Sequence, residues 1–338
     1  MDRRDFLKVG GAVAVTAGSA GAATARPAPT ILPGATELRL ASPDLPDVPG
    51  LASDRLARRL ELATGGRYRI VSEPDASAAD LVFGNVNCRR DQHPAFAYFA
   101  GLPLGIGLDH AKHQTWLAIG GGQMLWDDLA ARFEFKPLAA GHTGPSGGLW
   151  ASRRLETASD LSGAHIHVDG LAAEAVRALG ALLVRLAVGD VRAGLAEGRI
   201  EAAELLAPMV LASPDLQPLA QRLYSPGLNG GGAMLSLDVR RQVWDGLGVT
   251  DQAILEACAA EAYMQGLAEA QAHDMMAAQI ASTAKWPVKS ELGAELSASL
   301  HRAADEVLAK LADYDSDARR IHDSYQAFRG MLGDPPSA

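Results

Sequence analysis

Two rhythms alternate along the chain from about Thr36. Short β-type runs occur at Glu37 to Ala41, Tyr68 to Val71, Leu81 to Gly84, Ala164 to Val168, Ala203 to Leu206 and Ala233 to Leu237. Between them lie longer amphipathic segments that predict helices over Ala52 to Thr64, Asp109 to Ile119, Gln123 to Phe133, Leu171 to Leu179, Gly189 to Glu197 and Leu237 to Gly246. Alternation of this kind is the signature of an α/β fold. Gly65-Gly66 closes the first helix and Gly120-Gly121-Gly122 separates the second from the third, because caps and turns need left-handed backbone.

From Thr250 to about Thr283 the chain has no proline and one glycine, Gly266. Ile254, Leu255, Cys258, Ala262, Met275, Met276 and Ile280 recur there at helical spacing. The pattern predicts one helix of about nine turns, where three or four are usual. Lys285-Trp286-Pro287 stops it, and a last helical stretch runs from Glu291 through Phe328 with a break near Asp313 to Asp317. One place breaks the rhythm: the nine residues Ser72 to Asp80 are too few for the dozen or more that a parallel helical crossover needs. Either the flanking strands are antiparallel or a helix is missing.

Composition narrows the picture. With 338 residues, 48% hydrophobic and 21% charged, the chain is globular and too long for one core, which predicts two lobes. The net charge of -9 argues against nucleic acid as a partner, since phosphate binding needs a basic surface. Arg3-Arg4-Asp5-Phe6-Leu7-Lys8, the weakly apolar run Val9 to Ala23 and the small-residue site Ala23-Thr24-Ala25 read as a twin-arginine export signal over residues 1–25. Residues 26–35 form a proline-rich tether, and the mature protein is expected in the periplasm. Cys88 and Cys258 show no C-x-x-C spacing, and the sequence leaves their pairing open.

Five collinear runs carry a further signal. They are Pro94 to Gly105 (PAFAYFAGLPLG), Gly120 to Leu129 (GGGQMLWDDL), Lys136 to Gly144 (KPLAAGHTG), Asp160 to Gly170 (DLSGAHIHVDG) and Gly198 to Pro208 (GRIEAAELLAP). Together they resemble the solute-binding proteins of tripartite ATP-independent periplasmic (TRAP) transporters, the DctP family, and within it the branch taking up keto acids and related carboxylates. The resemblance implies a two-lobed clamshell with crossover strands and one long helix shared by both lobes. It places a first lobe at 36–150 with a return at 231–250, a second lobe at 151–230, the long helix at 251–284 and C-terminal helices at 285–330. It also implies a receptor, not an enzyme, that closes on a small organic acid and delivers it to the permease membrane subunits as a monomer or homodimer.

The family usually carries an arginine that forks onto the ligand carboxylate; here that position is His167, which offers fewer donors and a conditional charge. In the keto-acid branch a glutamine, a glutamate and the following tryptophan hold a metal ion and the substrate. Glu204 matches the glutamate, while Ser146 and Leu205 stand at the other two positions. A sodium or calcium ion at Glu204 is therefore an expectation with few ligands behind it, since calcium takes six or more oxygens. Asn229, in Leu228-Asn229-Gly230-Gly231-Gly232, and His142 complete the candidate lining. The region after Val71 is shorter than the resemblance calls for, which points to an altered pocket. Two other readings stay open. One is a descendant that has become a sensing or partner-binding subunit. The other is an exported metal hydrolase built on His165, His167 and Asp169 with His142 and Glu204.

Overall fold

The computed structural model describes residues 34–43, 52–144, 146–206, 219–283 and 288–332. The export signal, most of the tether, Pro208 and Lys285-Trp286-Pro287 lie outside the described residues.

The first sheet takes β1 (Thr36–Ala41), β2 (Tyr68–Ser72), β3 (Leu81–Asn85), β4 (Phe135–His142) and, much later, β10 (Met234–Arg240), in the order β2-β1-β3-β10-β4. The second takes β5 (Ser146–Ala151), β6 (His165–His167), β7 (Leu182–Leu183), β8 (Ala202–Leu206), β9 (Arg222–Tyr224) and β11 (Val288–Ser290), in the order β11-β9-β5-β8-β6-β7. The chain crosses from the first sheet to the second between β4 and β5, and returns between β9 and β10. β5 thus belongs to the second sheet, so the crossing falls before the lobe boundary expected at residue 150. The architecture is mixed α/β, as the alternating rhythms implied.

Helix α1 (Ala52–Ala63) packs one face of the first sheet together with the long helix, and the sequence between β3 and β4 supplies α2 (Phe96–Ala100), α3 (His110–Ala118) and α4 (Gly122–Ala131). The second half of the chain adds α5 (Ala158–Leu161), α6 (Gly170–Ala178), α7 (Val191–Ala196) and α8 (Arg241–Gly246). It then forms α9 (Val249–Thr283), α10 (Ala294–Ala312) and α11 (Ser316–Met331). α9 is the long helix anticipated from its pattern. Leu255, Cys258, Ala259 and Ala262 bury against Leu81, Phe83, Leu235 and Leu237 of the first sheet. Further along, Tyr263 of the same helix is buried in the cluster that also holds Leu149, Ala202 and Tyr224 of the second sheet.

Leu237 to Gly246 is not one helix. Met234–Arg240 is strand, and only Arg241–Gly246 is helical. Leu235, Leu237 and Val239 point into the core, while Ser236 and Asp238 point the other way. Asp238 is 5% exposed and tolerates that position because Arg89 closes on it at 2.6 Å. Arg89 lies in the 3-10 turn Val86–Asp91 and also covers the Phe135 ring at 4.5 Å.

The short connection after β2 is resolved by the missing helix. β2 and β3 are both parallel to β1, which lies between them, and Glu73–Asp80 crosses over without forming a helix. A parallel sheet normally has helices on both faces, and this stretch is polar where it lacks one. Leu38 and Leu40 face the core, while Arg39 pairs with Asp80 at 3.1 Å and Arg69 with Glu37 at 3.3 Å on the uncovered side.

Cys88 is exposed and Cys258 is buried against the first sheet, and neither is in a disulfide.

Candidate functional site

The two segments joining the sheets run side by side. Thr143 N donates to Ala233 O at 2.9 Å, and Ala233 N returns a bond to Thr143 Oγ1 at 2.8 Å. Gly232, at φ +75°, sits against the Gly144 carbonyl, where any side chain would collide. Glycine here brings two backbones into contact at the joint between the sheets.

Glu204 stands beside this joint. It lies on β8, opposite Leu149 of β5, and β5 is irregular between Ser146 and Leu149. The carboxylate is gripped from the joining segment after β9: Asn229 N donates to Oε1 at 2.8 Å and Asn229 Nδ2 to Oε2 at 2.7 Å. The Ser146 side chain favours the charged form of the same group, and its Oγ accepts from Gly148 N at 3.0 Å. Burial pushes the Glu204 carboxyl up from its ordinary value, and the Ser146 side chain and the bonds from Asn229 oppose that rise, while the like charge of Asp169 adds to it. Gly227 closes the arrangement. A Cβ there would press into the Glu204 carboxylate and come 2.6 Å from Ser146 Oγ.

Asn229 also reaches the start of α6. Its Nδ2 donates to the Asp169 carbonyl at 3.2 Å, and Asp169 is the N-cap of α6 without a side-chain capping bond. The α6 N-terminus has no side-chain cap from Asp169, and helix N-termini favour negative charge. Asn87, from the 3-10 turn after β3, meets the same point: its Oδ1 would lie 3.4 Å from a Cβ on Gly170. Nearby, Arg90 of that turn faces Glu174 of α6 at 3.9 Å. Elements attached to different sheets therefore converge on the start of α6. Asn87 and Gly227 carry no motif, and Asp169, although inside the Asp160 to Gly170 run, contributes through its backbone carbonyl, so reading one sequence misses them in this role.

The other candidates are placed elsewhere. His167 is 8% exposed and pairs with Ala203, on the face of β8 opposite Glu204. Its Nδ1 lies 3.1 Å from the Val184 carbonyl, tying it to the loop beyond β7. Leu205 is 2% exposed in a core cluster with Trp150, Val191 and Leu195. His142 is 7% exposed at the joint; its Nδ1 accepts from Gly144 N at 3.0 Å, and burial with His113 and His110 nearby pulls its pKa down to about 3. The hydrolase arrangement is not assembled. Among the described residues no three His, Cys, Asp or Glu side chains are grouped to hold a metal, and His165 is exposed.

Two sheets joined by a pair of touching segments, with a polar cluster at the joint and a helix spanning both, define a two-lobed solute-binding protein. Residues 91–314 match the DctP family, described as bacterial extracellular solute-binding protein, family 7, and the chain belongs to that family. Its members bind solutes and are not enzymes.

A curated relative, a monocarboxylate 2-oxoacid-binding periplasmic protein of Nostoc sp. (strain PCC 7120), is 24% identical over 298 residues, covering 83% of this chain and 80% of its own length. The fold matches a TRAP transporter solute-binding protein of Bordetella bronchiseptica RB50, described with copurified calcium and picolinate (TM-score 0.79, 21% identity, 89% and 94% of the two chains). It also matches one from Colwellia psychrerythraea with bound calcium and pyruvate (TM-score 0.81, 19% identity, 88% and 95%). A third, from Pseudoalteromonas atlantica T6c, has bound sodium and pyruvate (TM-score 0.80, 19% identity, 88% and 95%). No helix among the described residues is long and apolar enough to cross a membrane.

The relatives' cations pose a test for this chain. Among the described residues the side-chain oxygens gathered at Glu204 are one carboxylate and the Ser146 hydroxyl, and both oxygens of that carboxylate already accept N–H bonds. A calcium ion asks for six to eight oxygens, usually with several carboxylates. The described residues do not fit it.

Proposed function

We propose that the chain is the periplasmic receptor of a TRAP-type secondary importer, and that it captures a small organic acid at the joint between its lobes. The acid class is a monocarboxylate of the 2-oxo type, which the Nostoc relative and the pyruvate-bound structures support. The observation that carries the site is the convergence of Asn229 on Glu204 and on the start of α6. Asn87 and the N–H groups at the start of α6 are donors for a carboxylate, and no guanidinium is required of them. Glu204, Ser146 and Asn229 line the site; His142 supports the joint from behind, and His167 and Leu205 act through packing.

Lobe closure fits this reading, because a ligand touching both lobes favours the closed population. Export in folded form on the twin-arginine signal at residues 1–25, delivery to the permease membrane subunits and a first lobe that leaves at residue 144 and returns near 233 belong to the same proposal. Purified protein screened against a panel of carboxylates tests it: a bound acid raises the melting temperature by mass action. A response to 2-oxo monocarboxylates supports the reading, and silence across the panel refutes it.

A further inference from the structure

The donor chemistry around Glu204 carries one step more, which rests on the reading of the joint as a solute site. We propose that this site works without a resident cation, with the two N–H groups of Asn229 doing for the Glu204 carboxylate what a metal ion would otherwise do. A buried carboxylate needs compensation, and it can come from a cation or from N–H and O–H donors. Here two donors are in place, Asn229 N on Oε1 and Asn229 Nδ2 on Oε2, and the Ser146 side chain also favours the charged carboxylate.

Gly227 packs the backbone directly against the same carboxylate, so the donors cannot withdraw without moving the whole turn. Among the described residues the neighbouring carboxylate, Asp169, is exposed and offers Asn229 its backbone carbonyl. Asn229 therefore ties Glu204 to the start of α6 and leaves no second carboxylate facing the first. The consequence is specificity by hydrogen bonding: a 2-oxo acid would be held by neutral donors and not chelated to an ion.

Calorimetric titration of the full mature chain tests this with calcium alone, with sodium against choline, and with pyruvate in each salt and in chelator. The expected result is no heat and no melting shift from calcium or sodium, and pyruvate affinity within about twofold across all salts. Asn229→Asp, which places a second carboxylate beside Glu204, is expected to gain a calcium-dependent melting shift. Stoichiometric calcium binding by the unmodified chain, abolished in Glu204→Gln, overturns the proposal. So does pyruvate binding that is lost in chelator or choline, and in that case the solute site itself stands. Absence of binding to any acid, with calcium also silent, refutes the solute reading while the carboxylate remains cation-free.

Discussion

Glu204 and His167 stand on opposite faces of the second sheet. Glu204 pairs with Leu149 and His167 with Ala203, and neighbouring residues of β8 alternate sides. The carboxylate meets the joint between the lobes; the imidazole meets the core around Trp150 and the loop at Val184 and Leu186. Two residues that the chain order offers as partners in one pocket are separated by the thickness of a sheet.

His167→Gln should therefore act on stability and not on affinity. Loss of the ring's contact with the Val184 carbonyl costs about 1 kcal/mol, a small drop in melting temperature for a protein of this size. Acid affinity, read by calorimetry, should stay within about twofold of the unmodified protein. A loss of affinity of about tenfold or more with unchanged stability would place the imidazole in the site.

Gly227→Ala should damage the site from behind. Its Cβ has no space between the Glu204 carboxylate and Ser146 Oγ, so the turn must move and take Asn229 with it. Overpacking of this kind costs about 1–3 kcal/mol, and the acid-induced melting shift should disappear. The neighbouring Gly231→Ala, where a Cβ would have open space, is the control and should keep that shift.

Acid should destabilise the fold through two buried histidines. Burial lowers His113 to about 4 and His142 to about 3, against an ordinary 6.5. Both are neutral in the folded protein, so the unfolded chain binds more protons below about pH 6.5. The stability they contribute is present above that value and falls as pH drops from 6.5 toward 4 and then 3. Melting temperature should decline across that window, and imidazole NMR signals of His113 and His142 should show no titration near 6.5. A flat melting profile with both rings titrating near 6.5 would contradict the burial.

The paired arginines at the N-terminus give a cellular prediction. Replacing Arg3 and Arg4 together by Lys should abolish export, because the signal is read as the Arg pair and not as charge. Fractionation should then find the full-length chain retained in the cytoplasm, whereas continued processing and periplasmic recovery would exclude the twin-arginine route.

Much of the fold was legible where periodicity and length coincide. The long helix was readable because Leu255, Cys258 and Ala262 keep helical spacing with no breaker, and β1 because Leu38 and Leu40 alternate with Glu37 and Arg39. The strands at the joint were not. β4 contains Lys136-Pro137 and Ala139-Ala140-Gly141, and β5 begins Ser146-Gly147-Gly148, so each has a single aromatic residue, Phe135 or Trp150, and no β-branched residue to mark it as a strand. Their conformation comes from pairing with β10, β8 and β9, which is a long-range property.

β10 was cut short for a related reason: Asp238 looks solvent-facing until Arg89, far away in the chain, is seen to pair with it. The site was half legible. Glu204 stands in the last of the five runs, Ser146 at the glutamine position of the keto-acid branch and Asn229 in Leu228–Gly232; Asn229 and Glu204 are hydrogen-bonded, with Ser146 beside them. Asn87 and Gly227 were invisible because only contact between distant segments gives them a role.

The central claim is that an organic acid is held at the Asn229–Glu204 joint, and the direct test is the affinity of Asn229→Ala for the acid that most stabilises the unmodified protein. Removing donors from a buried carboxylate costs about 1.5–3 kcal/mol, which is roughly a tenfold to hundredfold change in affinity. Calorimetry should show that weakening, with the variant still folded by circular dichroism. Unchanged affinity in a folded variant would place the solute elsewhere and contradict the account.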